Sequence, residues 1–408
     1  MCVAMLRFML RGWVEEFYVQ PTYHFTWELF PWVRPLPPPA MHLLFVALAV
    51  LGAAIAAGFW YRASTVLFFL GFTYVELIDK STYLNHYYLV SLLSLLLAVV
   101  PAHRLWSVDA RRRPERRPET VPAWTVGLLR FQLAVAYFFA GLAKINADWL
   151  LDAQPLRIWL AARSDLPVVG PLLGVPAAAY LFSWCGAAFD LAIVLLLLWR
   201  RTRVAAYVAV ILFHVTTAVL FPIGMFPWIM IVATLVFFPP DWPRRWLGAP
   251  AAGAPLAPPR ARCSPAMAML GCFVLTQIVL PLRAYWPGAD PDWTGRGFNF
   301  AWRVMLIEKA GFTEFVARDR ATGHEWTIRT RDYITERQEK MMAQDPFMVR
   351  DLARHIAADF RLRGVAGIEV RADSFAAING HAAQRLIDPT VDLAATVPPT
   401  WIVPRHAI

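Results

Sequence analysis

A mainly α-helical, polytopic membrane protein followed by a smaller β-rich α+β domain is the fold class this sequence predicts, on three observations. Of its 408 residues, 58% are hydrophobic and only 17% charged, and the mean hydropathy of +0.46 lies outside the range of soluble domains. The apolar residues fall in long runs separated by short arginine-rich loops. After residue 283 the composition changes, with most of the acidic residues gathered there and apolar and polar positions alternating. The net charge of +10 does not indicate nucleic acid, because the arginines sit in loops between apolar runs rather than on one basic face. Cys2, Cys185, Cys263 and Cys272 have no metal-ligand spacing, so neither a zinc site nor a disulfide framework is inferred.

The opening MCVAMLRFML is too short in its apolar core for a cleaved signal peptide and reads as the end of a truncated membrane helix. With the aromatic, proline-punctuated stretch after it, this makes residues 1–40 a partial first helix and an interfacial segment. Residues 41–283 then form a multi-helix membrane domain. Its first complete span is 41–60, about 20 residues at about 1.5 Å each against a hydrocarbon core of roughly 30 Å. Further spans are expected at 64–78, 86–102, 124–143, 180–199, 204–221, 228–238 and 267–282, about eight in all.

Loop charge orients them. The segment from His103 to Pro122 carries six arginines, WRRTR follows 180–199, and Arg244, Arg245, Arg260 and Arg262 follow 228–238. The positive-inside rule places these loops in the cytoplasm and the C-terminal domain, 284–408, outside. In that domain FTEFVARDRATGHEWTIRT reads as a β-hairpin. EKMMAQDPFMVRDLARHIAADFRLRG reads as an amphipathic helix interrupted at Pro346, and IEVRADSFAAINGHAAQRLIDP as two strands around an Asn379-Gly380 turn.

The same orientation gathers polar groups from three helices in one outer layer: Asp79, Lys80, Asn85 and His86; Lys144, Asn146 and Asp148; and His214 with Thr216 and Thr217. Lys144 ends an otherwise apolar helix. It either snorkels to the interface or serves a function, since an ammonium in a membrane segment costs a few kcal/mol unless compensated. Asp79 and Lys80 read alone as a solvated pair, His86 as a helix cap, His214 as a satisfied interior histidine, and Thr216 and Thr217 as groups bonded to their own helix. Two histidines and a lysine at one depth suit a different task. A desolvated lysine can remove a proton from an acidic hydroxyl, a histidine can donate to the developing oxyanion, and a hydrophobic phenol or quinol is the matching substrate. Asp148 is the carboxylate close enough in sequence to oppose that desolvation.

LIDKSTYLNHYYL, WSVDA, YFFAGLAKINADWL, LFPIGMF followed by PPDWPRRW, and RLIDPTVD occur in this order. Together they resemble the vitamin K-dependent gamma-glutamyl carboxylases over nearly the whole chain. The resemblance implies an enzyme that oxidises vitamin K hydroquinone to its epoxide with O2, and uses the base so made to remove a glutamate γ-proton before CO2 adds. It implies that Lys144, in AG-x-x-K-x-x-ADW, is the catalytic base and that His86 stabilises the oxyanion. Lys80, Asn85, His214, Trp302 and Met305, the last two in FAWRVML, become the candidate substrate- and cofactor-binding residues. The implied partners are the lipid bilayer and a glutamate-containing protein or peptide. This outer portion is shorter than that of animal members, which bind a propeptide. Two alternatives therefore stand beside carboxylation: quinol epoxidation without a glutamate acceptor or with a different one, and a non-enzymatic quinone-binding membrane protein.

Overall fold

The computed structural model describes residues 1–113, 121–243, 265–395, 398 and 400–405. Cys263 and the arginines at 116, 117, 244, 245, 260 and 262 lie outside them. All eight expected apolar runs are helical, and the helices separate them as the sequence does. The helices are α1 (Cys2–Leu10), α2 (Pro38–Ala57), α3 (Tyr61–Ile78), α4 (Asn85–Val99), α5 (Val108–Arg112), α6 (Ala123–Ala143), α7 (Ala147–Leu150) and α8 (Leu156–Ala161). They continue with α9 (Gly170–Leu173), α10 (Pro176–Leu198), α11 (Arg203–Leu220), α12 (Phe226–Ala233) and α13 (Pro265–Leu282).

Five are long and apolar enough to cross a membrane: Pro38–Ala57, Ala123–Ala143, Pro176–Leu198, Arg203–Leu220 and Met267–Tyr285. The other three runs fall short for physical reasons. α3 carries Glu76 and several hydroxyl residues among its 18 positions. α4 has 15 residues, and α12 tightens into a 3₁₀ turn at Thr234–Phe237. Helix ends follow local chemistry. Proline occupies the first turns of α2, α10 and α12, where the missing N–H costs nothing, and α2 stops at Gly58 in the left-handed conformation.

The helices bury their apolar stripes against one another. One core joins α1, α2 and α3 through Met5, Phe45, Leu48, Phe68 and Phe72. A second joins α4, α6, α10, α11 and α12 through Leu89, Leu133, Tyr137, Ile193, Val210 and Met230, and it includes Trp302 from the loop beyond α13. A short helix, α14 (Pro291–Thr294), precedes that loop.

The remainder is a four-stranded antiparallel sheet in the order β2-β1-β3-β4, with β1 Lys309–Asp319, β2 Glu325–Ile328, β3 Ile368–Ile378 and β4 Gln384–Arg385. Both expected hairpins form, β1–β2 around ATGH and β3–β4 around Asn379-Gly380, whose φ values of 51° and 78° suit a primed turn. The long β1–β3 ladder joins them, pairing Lys309 with Ile378 through to Asp319 with Ile368. Two helices cross over between the hairpins, α15 (Glu336–Met342) and α16 (Pro346–Leu362). Pro346 starts α16 rather than interrupting a longer helix, because Asp345 caps it by accepting from the Phe347 and Met348 N–H groups. Val349, Leu352, Ala353 and Ile356 of α16 pack on Phe315, Ala317, Val370 and Ala372 of the sheet. Phe25, from the irregular stretch before α2, joins this core, so the two parts of the chain share packing.

Candidate active site at the end of α6

α6 ends at Lys144 because the next residues leave the helix. Asn146 is extended and caps α7, accepting from Trp149 N–H at 2.9 Å while its own amide donates to Ala143 O at 2.9 Å. Asn146 thus turns the chain and leaves Lys144 facing inward, 5% exposed. The ammonium Nζ donates to Asp190 Oδ2 of α10 at 2.8 Å and to Ala140 O at 3.2 Å, approaches Val304 O at 3.5 Å, and stands 5.1 Å from the Trp149 ring centre. A carboxylate does oppose the desolvation of Lys144, but it is Asp190, not Asp148. Sequence reasoning missed Asp190. The signal was present, since it is the single acidic residue in a 23-residue apolar helix and such a residue implies a partner.

Asp148 points the other way. It accepts from Asn379 Nδ2 at 2.8 Å and His381 Nε2 at 3.2 Å, with Arg405 at 3.6 Å, and so ties α7 to the β3–β4 hairpin. Burial works to raise this carboxyl, but those hydrogen bonds and the arginine outweigh it and hold the group below the usual carboxylate range.

Lys144 and Asp190 face a cavity walled mainly by apolar and aromatic groups, among them Ala136, Ala140, Trp159, Phe213, Phe226 and Met230. About 820 Å³ of empty space lies between its walls, counting the part that opens outward. Its polar lining is sparse and convergent. His214, 1% exposed in α11, takes part in a 2.9 Å hydrogen bond between its Nε2 and the Tyr137 hydroxyl. His214 Nδ1 and Trp302 Nε1 are buried without a hydrogen-bond partner among the described residues, an expensive state that a ligand with hydroxyl or carbonyl oxygens would relieve. Thr217 also lines the cavity, and its hydroxyl donates to His214 O at 2.9 Å.

Trp302 and Met305 both stand on this wall. Phe300, Trp302 and Met305 have φ of 64°, 56° and 49°, a conformation that bulky residues adopt only under constraint. The constraint is visible. Phe300 N–H donates to the Tyr83 hydroxyl at 2.8 Å, Asn85 Nδ2 donates to Arg303 O at 3.1 Å, and the Arg303 guanidinium grips Asp292 with two hydrogen bonds.

The remaining sequence candidates separate. Asn85 lines the Lys144 cavity. His86 lines an adjoining one that shares Asn85, Ile223, Phe226, Val304 and Met305 with it and also reaches Arg337 and the α1 residues Met5 and Phe8. Lys80 lines a third, again with Asn85, together with Asp292, Lys309 and Asp345. The reading of Asp79 and Lys80 as a solvated pair is corrected by tertiary contacts. Asp79 is 1% exposed and accepts from Ser81 N–H and Gln338 Nε2 with His24 beside it, while Lys80 pairs with Asp351 of α16 at 2.5 Å.

A helical membrane protein with a buried lysine–aspartate pair facing an apolar cavity, closed by a loop from a second, sheet-containing part, is the class this geometry defines. A family model for the HTTM domain matches residues 1–242, and one for the vitamin K-dependent gamma-carboxylase lumenal domain matches residues 263–407. The chain belongs to the vitamin K-dependent gamma-carboxylase family. No solved structure matches it.

Proposed function

We propose that the protein is a vitamin K-dependent, carboxylase-type membrane enzyme whose reduced naphthoquinone binds in the Lys144 cavity. The observation that carries this reading is the pairing of Lys144 Nζ with Asp190 Oδ2 beside unpartnered His214 Nδ1 and Trp302 Nε1. The donor set fits such a group: aromatic and aliphatic walls for the rings, and a few polar atoms for the oxygens. When bound and reacting with O2, reduced vitamin K supplies the strong base that removes a glutamate γ-proton before CO2 adds.

The chain's own part is proton handling and positioning. Lys144 passes one hydrogen to Asp190 Oδ2, which frees an Nζ lone pair, and Nζ then takes the proton of the hydroxyl. Desolvation favours that exchange, because an ion pair in an apolar wall loses hydration that the neutral pair does not need. His214, held by Tyr137, and Trp302, held by the strained loop, orient the oxygens. His86 is assigned as donor to the developing oxyanion, acting from the adjoining cavity past the shared wall at Asn85 and Phe226. Asn85, at the junction of the cavities, and Lys80, with Met305 on the shared wall, are assigned to substrate binding.

In this reading residues 1–40 form a first helix and an interfacial segment and 41–283 form the catalytic membrane domain, with eight crossings of which three are short. Residues 284–408 form the extracytoplasmic domain, and the arginine-rich loops are cytoplasmic. The acceptor is a glutamate side chain of a protein or peptide. The test is epoxide formation from reduced vitamin K by purified protein in detergent with oxygen and bicarbonate, beside Lys144→Ala. Lysine-dependent epoxide supports the reading, and absence of epoxide from folded wild-type protein overturns it.

A further inference from the structure

At the arginine-rich end of the helices, far in sequence from Lys144, a further polar cavity opens between the α2–α3 turn and the segment after α4. It is lined by Tyr61, Arg62, His103, Arg104, Asp109 and Arg112, and extends to Trp60 and Arg113. The turn and the segment are built on each other. Gly58 is left-handed and a Cβ there would collide with Ser107, while Asp109 N–H donates to Gly58 O at 3.0 Å.

Among the described residues the lining carries four arginines and one carboxylate. Asp109 is the acidic residue of the lining, and its two carboxylate oxygens accept from Trp60 N–H at 3.1 Å and Tyr61 N–H at 2.9 Å. Its charge is thus spent on the free N–H groups at the start of α3. Arg62 closes the C-terminal end of α4 by donating to Ala98 O and Val99 O, and Arg112 stacks over Phe59 at 4.8 Å. Arg112 and Arg113 remain exposed. An independent observation points to a missing ligand. Tyr61 is 3% exposed and lines the cavity, yet its hydroxyl has no hydrogen-bond partner among the described residues, nor does Nδ1 of His103 stacked on it at 4.8 Å. Burial and the neighbouring Arg62 and Arg104 hold His103 below the usual histidine range, so the ring stays neutral. Trp60 and Trp106 flank the site, 67% and 55% exposed, as interfacial tryptophans do at headgroup depth.

We propose that this cavity binds the phosphate of an anionic membrane lipid. Arginines supply charge-assisted donors, the Tyr61 hydroxyl supplies a buried one, and the tryptophans set the depth.

The experiment is titration of the purified full chain with phosphatidylglycerol or phosphatidylcholine, read as retained lipid by native mass spectrometry, with inorganic phosphate as a soluble probe. Phosphatidylglycerol should bind at least about tenfold more tightly than phosphatidylcholine, and Arg112→Gln with Arg113→Gln should remove about tenfold of that affinity. Tyr61→Phe should weaken binding severalfold with the unfolding temperature unchanged, which keeps the test decisive if the arginine variant fails to fold. Arg200→Gln with Arg201→Gln, at another arginine cluster, should leave the affinity intact. Equal binding of the two lipids, or equal loss in both arginine variants, overturns the proposal. Inorganic phosphate that displaces the lipid at equal concentration would identify a soluble-anion site instead.

Discussion

Two lysines are buried in this protein under tryptophan rings, one in each part of the chain. Lys144 Nζ stands 5.1 Å from the Trp149 ring and Lys309 Nζ 5.4 Å from the Trp293 ring. Their other contacts differ. Lys144 shares a hydrogen bond with a carboxylate and faces an apolar cavity. Lys309 donates to Asp292 O at 3.2 Å and Trp293 O at 2.6 Å, and so pins α14 to the first residue of β1. Burial lowers Lys309 to about 8 against the pull of Asp345, Asp290 and Asp292. The difference teaches that burial of a lysine is not by itself a catalytic sign. What distinguishes Lys144 is a carboxylate hydrogen-bonded directly to its ammonium, where Lys309 meets only backbone carbonyls.

The largest effect that would break the comparison comes from Lys144→Ala. We expect loss of quinol oxidation by about 10³-fold or more with folding intact, partly restored by a small added amine. Unchanged turnover in the purified variant removes Lys144 from the mechanism. His86→Ala is expected to lower turnover by roughly 10²–10³-fold as an oxyanion donor, and near-normal turnover would reduce His86 to a wall of the neighbouring cavity. Asp190→Asn keeps the hydrogen-bonding shape but removes the proton acceptor, so about a tenfold to hundredfold fall in turnover with an altered pH profile is expected. A fall with an unaltered profile would make Asp190 a packing partner only.

Lys309→Met gives the smallest effect. The variant should differ chiefly in how stability responds to pH. The unfolded chain holds the Lys309 proton up to about pH 10.4, so between there and pH 8 it binds more protons than the folded chain. Stability from this group therefore rises with pH across that window, by up to about 1 kcal/mol per unit, and is flat below it. Apparent unfolding temperatures at about pH 7.5 and about pH 9.5 check this: the wild-type protein should gain on the variant at the higher value, and equal slopes would refute it.

Asp148 offers a further check on how the two parts are joined. Asp148→Ala strands Asn379 and His381, and should cost about 1–3 kcal/mol in apparent stability. An unchanged unfolding temperature would show that shared packing around Phe25 suffices.

Much of this was legible in the sequence because it is local. Apolar runs of helical length become helices whatever their neighbours, Asn379-Gly380 can only turn, and a lone lysine in an apolar helix stands out on cost alone. Even the end of α6 was readable, since Asn146 caps α7 with its own side chain. What tertiary structure decided is everything that joins distant positions. The Lys144–Asp190 bond spans 46 residues and the Lys80–Asp351 bond 271. No periodicity encodes the β1–β3 ladder. The outer polar layer that loop charge suggested is divided by packing into adjoining cavities that share Asn85, one lined by Lys144 and His214 and another by His86, with Phe226 on the wall of both. Composition and spacing act over a few residues of chain, whereas which carboxylate meets which ammonium is set by how whole helices lie against one another.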